Sequence, residues 1–191
     1  MAYFPLCINL DGAEVILLGE GPMAQEKRSV LLSFGANIRQ FSDAGLLTET
    51  ELEPRPAMVV VADVPHVEKE RISRLCRRRG IPVNVVDEPA LCSFYFPSLV
   101  TRGSLTVAVS TGGKSPVGAA WLRRHLEKHI PDQTEEILEW AQALRRRLRT
   151  DYPEADRRAV LRRAVSLALT ENRVLREHEV LTILESCIEK E

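Results

Sequence analysis

The chain has little of what marks a secreted, membrane-spanning or nucleic-acid-coating protein. Its four cysteines, Cys7, Cys76, Cys92 and Cys187, are scattered over 191 residues with no Cys-x-x-Cys pair. That usage argues against a disulfide scaffold or a thiolate metal cluster and for reduced thiols in a cytoplasmic setting. No apolar run approaches the roughly 18 residues that cross a bilayer. The opening MAYFPLCINLDG has no basic stretch ahead of a long apolar one, so no signal peptide is expected. Charge of one sign is also missing: 26 lysines and arginines stand against 27 acids, a formal net charge of −1. Nothing global therefore pulls the chain towards nucleic acid or an anionic membrane. Aromatic residues make up only 5%, too few for a base-stacking surface. Internal repeats and low-complexity stretches are absent as well.

What is present is a hydrophobic fraction of 45%, enough for a real core in one or two domains. Leu6–Leu10 is a short candidate strand and Asp11-Gly12 a turn. Val15–Leu18 is an apolar run of the kind buried on both faces of a parallel sheet. Val30, Leu31 and Phe34 mark one side of a helix that starts near Ala24 and stops at Gly35. Strands are expected at Ile38–Phe41, Met58–Ala62 and Pro82–Val86, with a helix from Val67 to Arg79 ended by Gly80. Strand and helix alternating at this spacing predict βαβ units and an open parallel sheet. After Asp87 the pattern changes: SFYFP (Ser93–Pro97) and SLTVAVS (Ser104–Ser110) read as strands. Pro116 then suits the first turn of a helix running to about His129. From Thr134 the chain reads as helical, broken at Tyr152-Pro153. Its apolar stripes are Ile137/Leu138/Ala141/Leu144/Leu148, Val160/Leu161/Ala164/Leu167/Ala168 and Val180/Ile183/Leu184/Ile188. Three such stripes suggest more apolar surface than a small tail closes alone, hence a homodimer. The expected fold class is α/β. A Rossmann-type parallel sheet domain (1–97) is followed by a small α+β connecting and dimerisation segment (98–131) and a helical C-terminal domain (132–191).

Between the Val15–Leu18 strand and its helix lies Gly19-Glu20-Gly21-Pro22-Met23-Ala24, which fits G-x-G-x-x-G/A. The first glycine permits the tight turn, the second lets backbone approach a pyrophosphate, and the small third residue allows close helix–strand packing. A pyrophosphate would meet free N–H groups at the helix start, although Pro22 removes one donor and Glu20 adds a negative charge. Asp43, about 20 residues on and after the second strand, is placed for the adenosine ribose and favours NAD over NADP. The bland alternative is an ordinary strand–helix turn.

Asp87 follows a strand at its carboxyl end, where open α/β sheets place ligands. It reads either as a functional carboxylate or as a turn cap ahead of Glu88-Pro89. Ser110-Thr111-Gly112-Gly113-Lys114-Ser115 offers hydroxyls, N–H groups and one ammonium before a helix, a nest suited to substrate carboxylates. The alternative is a connecting loop with a capping serine. Ser93 and Arg102 are further candidates for substrate contact. His125 and His129, four apart on one helix, lack a third ligand, so no metal site is assigned. Arg77-Arg78-Arg79 and Arg145-Arg146-Arg147 read as solvated helix faces.

With PLCINLDGAEVILLGEGPMAQEK and IPVNVVDEPALCSFYFPSLVTRGSLTVAVSTGGKSP in view, the chain resembles the precorrin-2 dehydrogenase family, also found as the N-terminal part of siroheme synthase. The order N-V-V-D, F-x-F-P, R-G and S-x-G-G-x-S-P carries the likeness, which spans Phe4 to about Glu127. The resemblance implies NAD-linked oxidation of precorrin-2 to sirohydrochlorin, with ferrous iron inserted as well in some members. It implies that Asp87 is the essential aspartate, and that Pro22, Met23, Asp43, Ala44, Ala62 and Asp63 join Gly19, Gly21 and Ala24 around the cofactor. It also implies a homodimer, and a many-carboxylate substrate that could use some of the arginines. Departures include Glu20 for a glycine and Glu88 for a second aspartate. A bifunctional dehydrogenase–ferrochelatase and a non-catalytic NAD-sensing module are the competing expectations.

Overall fold

The computed structural model describes residues 4–152 and 156–188, with the backbone alone at Ile188. The chain divides into two compact units, Met1–Phe96 with Gly112–Lys114, and Pro97–Thr111 with Ser115–Glu191.

In the first unit, β1 (Glu14–Leu18), β2 (Asn37–Phe41), β3 (Met58–Val61) and β4 (Val83–Val85) form one parallel sheet ordered β2-β1-β3-β4. Period-2 alternation divides the apolar runs between two cores. Val15, Leu17, Met58 and Val60 pack on the side that holds Ala24 and Leu31 of α1 (Pro22–Ser33). Ile16, Leu18, Val59 and Val61 pack with Ile72, Leu75 and Cys76 of α2 (His66–Arg78). Every β1 and β3 residue from Val15 onwards is thus buried on one face or the other. Each such side chain contributes roughly 1.5–3 kcal/mol, which is why these strands read as continuous hydrophobic runs. Gly35 and Gly80 take positive φ just past α1 and α2, as the expected helix ends require.

Two expected strands do not form. Residues 6–10 lie outside any sheet, with Leu6 and Ile8 exposed. Ser93–Pro97 is also irregular: a single backbone bond, Ser93 N to Val83 O at 2.8 Å, with several side-chain bonds closes the free edge of β4 in place of a continued ladder. The Ser93 hydroxyl accepts from Val83 N (2.8 Å), and Cys92 Sγ accepts from Val85 N and donates to Val85 O (both 3.2 Å). Asn84 Nδ2 donates to Phe94 O at 3.0 Å. An edge blocked in this way presents no template for another strand. Phe94 and Phe96 still pack against the α1-side core, so their apolar pattern reports burial, not pairing.

In the second unit, β5 (Ser98–Arg102) and β6 (Leu105–Val109) form an antiparallel hairpin. Helix α3 (Pro116–Glu127) begins at Ser115, whose hydroxyl accepts from Gly118 N at 2.9 Å. The helices α4 (Thr134–Asp151), α5 (Arg157–Glu171) and α6 (Glu177–Ile188) enclose their own core. Ile137, Leu144, Leu148, Val160, Ala164, Ala168, Val180 and Leu184 are buried in it together. The buried members of the three stripes therefore close on one another, while Leu167 stays exposed. Tyr152 ends α4, while Pro153 and the Ile188 side chain fall outside the described residues. The α5–α6 turn is pinned by Arg173, which donates to both oxygens of Glu179 (2.7 and 2.9 Å). That guanidinium, with Arg176 N–H, holds the Glu179 carboxyl down at about 2. Among the described residues no helix is long and apolar enough to cross a membrane.

Candidate active site

The chain leaves β1 for β2 on one side of the sheet and returns with β3 on the other, which makes β1/β3 the topological switch point. Ligands of open α/β sheets bind in the crevice beyond the strand ends there. Register brings three chain exits level: Leu18 pairs with Val61 and Val61 with Val85. Hydrogen bonds Ala62 N to Leu18 O and Val86 N to Val61 O, both 2.9 Å, carry the ladder one step further. Gly19, Ala62 and Val86 therefore stand side by side at the carboxyl edge.

Gly19 adopts φ +102°, and a Cβ there would lie 1.9 Å from Ala62 O. Glycine is needed on both counts. Its carbonyl is held by Gln40 Nε2 at 2.7 Å. Gly21 caps α1 with extended backbone, and a Cβ on it would meet the Asp63 carboxylate, 2.6 Å from Cγ. Pro22 occupies the first helical position and has no N–H to offer. The N–H groups of Glu20, Gly21 and Met23 have no hydrogen-bond partner among the described residues. Ala24 N instead donates to Asp63 Oδ2 at 2.9 Å. A helix start with free donors in a glycine-lined turn fits a pyrophosphate, with one donor already capped by the chain's own carboxylate. Asp63 thus serves the loop directly, a contact across 39 residues that no local pattern signals.

Asp43 caps the short turn at Ala44–Leu46 by accepting from Gly45 N at 2.8 Å. Ala44 is buried beneath it. Arg71 fixes this turn from α2, donating to Ala44 O (2.6 Å) and Leu47 O (2.9 Å). Arg39 turns to Glu14 (2.9 Å) and Glu51 (3.1 Å), so its charge is spent on those two acids. Sequence spacing gave no sign of either arginine's partners.

Asp87 is exposed, in the left-handed region at φ 63°, and its carboxylate accepts no hydrogen bond among the described residues. It is not a cap. Asp63 matches it on the neighbouring strand exit with φ 52°. Backbone in this region is uncommon outside glycine, and aspartate is among the residues that tolerate it. The surroundings of Asp87 are fixed by Lys69 Nζ on Val86 O (3.1 Å) and by His66 Nδ1 at 3.0 Å from Glu88 Oε1. His66 is a titratable neighbour of the site that spacing alone did not single out.

The other candidates are placed differently. Ser93 spends its hydroxyl on β4, as described. Arg102 lies 3.6 Å from Glu127 on α3. In the glycine loop before α3, the Thr111 hydroxyl donates to Ser115 O and accepts from Ser115 N, both 3.1 Å. Ser115 Oγ serves as the helix cap, while Ser110 also has bonded partners. Gly112 and Gly113 have positive φ, and Lys114 is exposed. The basic run on α2 is mostly engaged: Arg77 donates to Ala90 O at 2.8 Å, and Arg79 lies 3.4 Å from Glu53. Burial pushes the Cys76 thiol up to about 12, and burial also raises Cys92, so neither thiol is activated. Among the described residues no three His, Cys, Asp or Glu side chains gather to hold a metal.

Fold and loop define an NAD(P)-binding α/β protein, and the family model described as "Putative NAD(P)-binding" matches residues 6–98. A second model, "Sirohaem biosynthesis protein central", matches residues 102–129. Siroheme synthase of Pseudomonas paraeruginosa is 34% identical over 177 residues, covering 84% of this chain and 38% of the relative. That of Nitrosomonas eutropha is also 34% identical, covering 83% and 37%. Over more than four fifths of its own length the chain is thus similar to siroheme synthases. It spans under two fifths of the length of these relatives. The solved structure of SirC, precorrin-2 dehydrogenase, shares the fold with a TM-score of 0.63 at 16% identity, over 98% of this chain and 100% of that one.

Proposed function

We propose that this chain oxidises precorrin-2 to sirohydrochlorin with NAD as the hydride acceptor. The reading is carried by one observation, an unpartnered Asp87 carboxylate two strands from the glycine loop on the same sheet edge. The likeness to siroheme synthases and to SirC, a precorrin-2 dehydrogenase, supports the choice of substrate. NAD, when bound, would supply the acceptor for one hydrogen with its electron pair. The second hydrogen leaves the tetrapyrrole as a proton, and Asp87 is the group that receives it. Gly19, Gly21 and Met23 would hold the pyrophosphate through backbone geometry and N–H groups, and Asp43, with the oxygen that Gly45 leaves open, would meet the adenosine ribose. Gly113 and Lys114 are offered to substrate carboxylates, with Ser110, Thr111, Gly112 and Ser115 shaping that loop.

NAD should be preferred to NADP, since a 2′-phosphate would face Asp43 while Arg39 is occupied by Glu14 and Glu51. Anaerobic incubation with precorrin-2 and either dinucleotide, followed by absorbance, checks both points. Conversion is expected with NAD and at a much lower rate with NADP. No spectral change with either would sink the dehydrogenase assignment, and equal rates would remove the role given to Asp43.

The homodimer is proposed on α3 rather than on the tail. Val117, Trp121, Leu122 and Leu126 are 79%, 56%, 42% and 42% exposed, an apolar surface that a partner copy would cover. Light scattering at micromolar concentration should give twice the chain mass, and Trp121→Glu should halve it. A monomeric wild type would rule this out.

A further inference from the structure

We propose that the cleft between α4 and α5 is a binding site for a compact polyanion, a small molecule carrying several phosphate or carboxylate groups. The cleft holds about 520 Å³ and is lined by Arg145, Arg146 and Arg149 of α4 and Arg157 and Arg158 of α5, with Gln142 and Leu161. None of the five guanidiniums meets a carboxylate or carbonyl among the described residues, whereas neighbouring Arg147 is paired with Glu177 at 2.8 Å. Asp156, at the start of α5, is committed to its own helix as the cap, accepting from Arg158 N and Ala159 N, both 3.1 Å.

This arrangement is unfavourable when nothing is bound. Arg145 and Arg149 are like charges at i,i+4 on one helix, which repel. Arg157 and Arg158 fill the first turn of α5, which contains no acid, where the helix dipole disfavours cations. A multivalent oxyanion removes both penalties and matches the planar forks of guanidinium, which bind phosphate and carboxylate in bidentate fashion. The volume lies in the range of small-molecule sites. No aromatic ring lines the cleft, so nucleobases have nothing to stack on, and the anionic groups themselves are what is recognised. This site is independent of the dehydrogenase assignment.

Calorimetric titration of the whole chain at low salt with tripolyphosphate and, separately, benzenehexacarboxylate tests it. Saturable binding of at least one probe is expected, weakening as salt is raised. The paired change Arg149→Gln and Arg158→Gln, which keeps good helix formers, should weaken binding by about tenfold or more. It should also leave the free protein at least as resistant to heat. Arg74→Gln, at an exposed arginine of α2, should leave binding unchanged. Tripolyphosphate alone would identify a phosphate ligand, benzenehexacarboxylate alone a carboxylate one. No saturable heat with either probe, or equal loss in the Arg74 variant, would overturn the proposal. So would a paired variant that loses helix content, since the arginines would then be structural.

Discussion

Asp87→Ala should slow precorrin-2 oxidation by something like the 10²–10⁴-fold typical of a lost acid–base group. NAD affinity should stay within a factor of two or so, because the glycine loop and Asp43 sit on other strand exits. The carboxylate makes no hydrogen bond among the described residues, so its removal strands no donor. The backbone is the one complication. Asp87 sits at φ 63°, and alanine in the left-handed region costs roughly 1–2 kcal/mol. Asp87→Asn keeps a residue suited to that conformation and isolates the chemistry. Near-normal turnover by the asparagine variant would mean that hydrogen bonding suffices and the proton leaves by another group. Loss of folded protein at unchanged specific activity would make Asp87 structural. Single-turnover absorbance changes with denaturation curves alongside distinguish these outcomes.

Gly19→Ala should be the most damaging single methyl in the first unit. The substitution meets two penalties at once, a φ of +102° and an approach of 1.9 Å to Ala62 O. Strained backbone costs about 1–3 kcal/mol and forced overpacking a similar amount. Together, about 3 kcal/mol or more is a large share of a domain's roughly 5–15 kcal/mol. Gly12 supplies the control, since its φ is +69° with nothing within 4 Å of a Cβ. Gly12→Ala should therefore show the backbone cost alone, about 1–2 kcal/mol. Urea unfolding of the two variants reads the difference, and calorimetry should find NAD binding lost in Gly19→Ala. Equal destabilisation of the two would mean that the exits of β1 and β3 are not in contact.

The nucleotide fold was legible because its strands are buried on both faces, which leaves continuous apolar runs such as Met58–Val61. Helix ends were legible through Gly35 and Gly80. Residues 6–10 and 93–97 carry equally apolar patterns, yet a strand also needs a vacant edge. At β4 that edge is taken by the Ser93 and Cys92 side chains, a capping device that composition does not reveal. Phe94 and Phe96 are apolar because they cover a core, which periodicity alone cannot separate from pairing. Asp63 was expected near the cofactor from the family resemblance, but its bond to Ala24 N joins residues 39 positions apart. The same holds for Arg71, whose targets lie 24 and 27 positions away. The tail's stripes were read correctly as apolar faces. Their mutual closure depends on helix packing, which sequence spacing does not specify.

The fate of Arg39 bears on how readily this protein could exchange one coenzyme for the other during divergence or redesign. A move to the phosphorylated dinucleotide needs removal of an acid and gain of a cation. The nearby cation is already present but locked, bridging Glu14 at the start of β1 and Glu51 in the loop ahead of β3. Mutating Asp43 alone would thus clear a repulsion without creating an attraction. Releasing Arg39 means loosening a tie that joins β2 to two other segments. On the role proposed for Asp43, a change of coenzyme therefore takes more than one substitution, one to remove the acid and another to free or supply the cation.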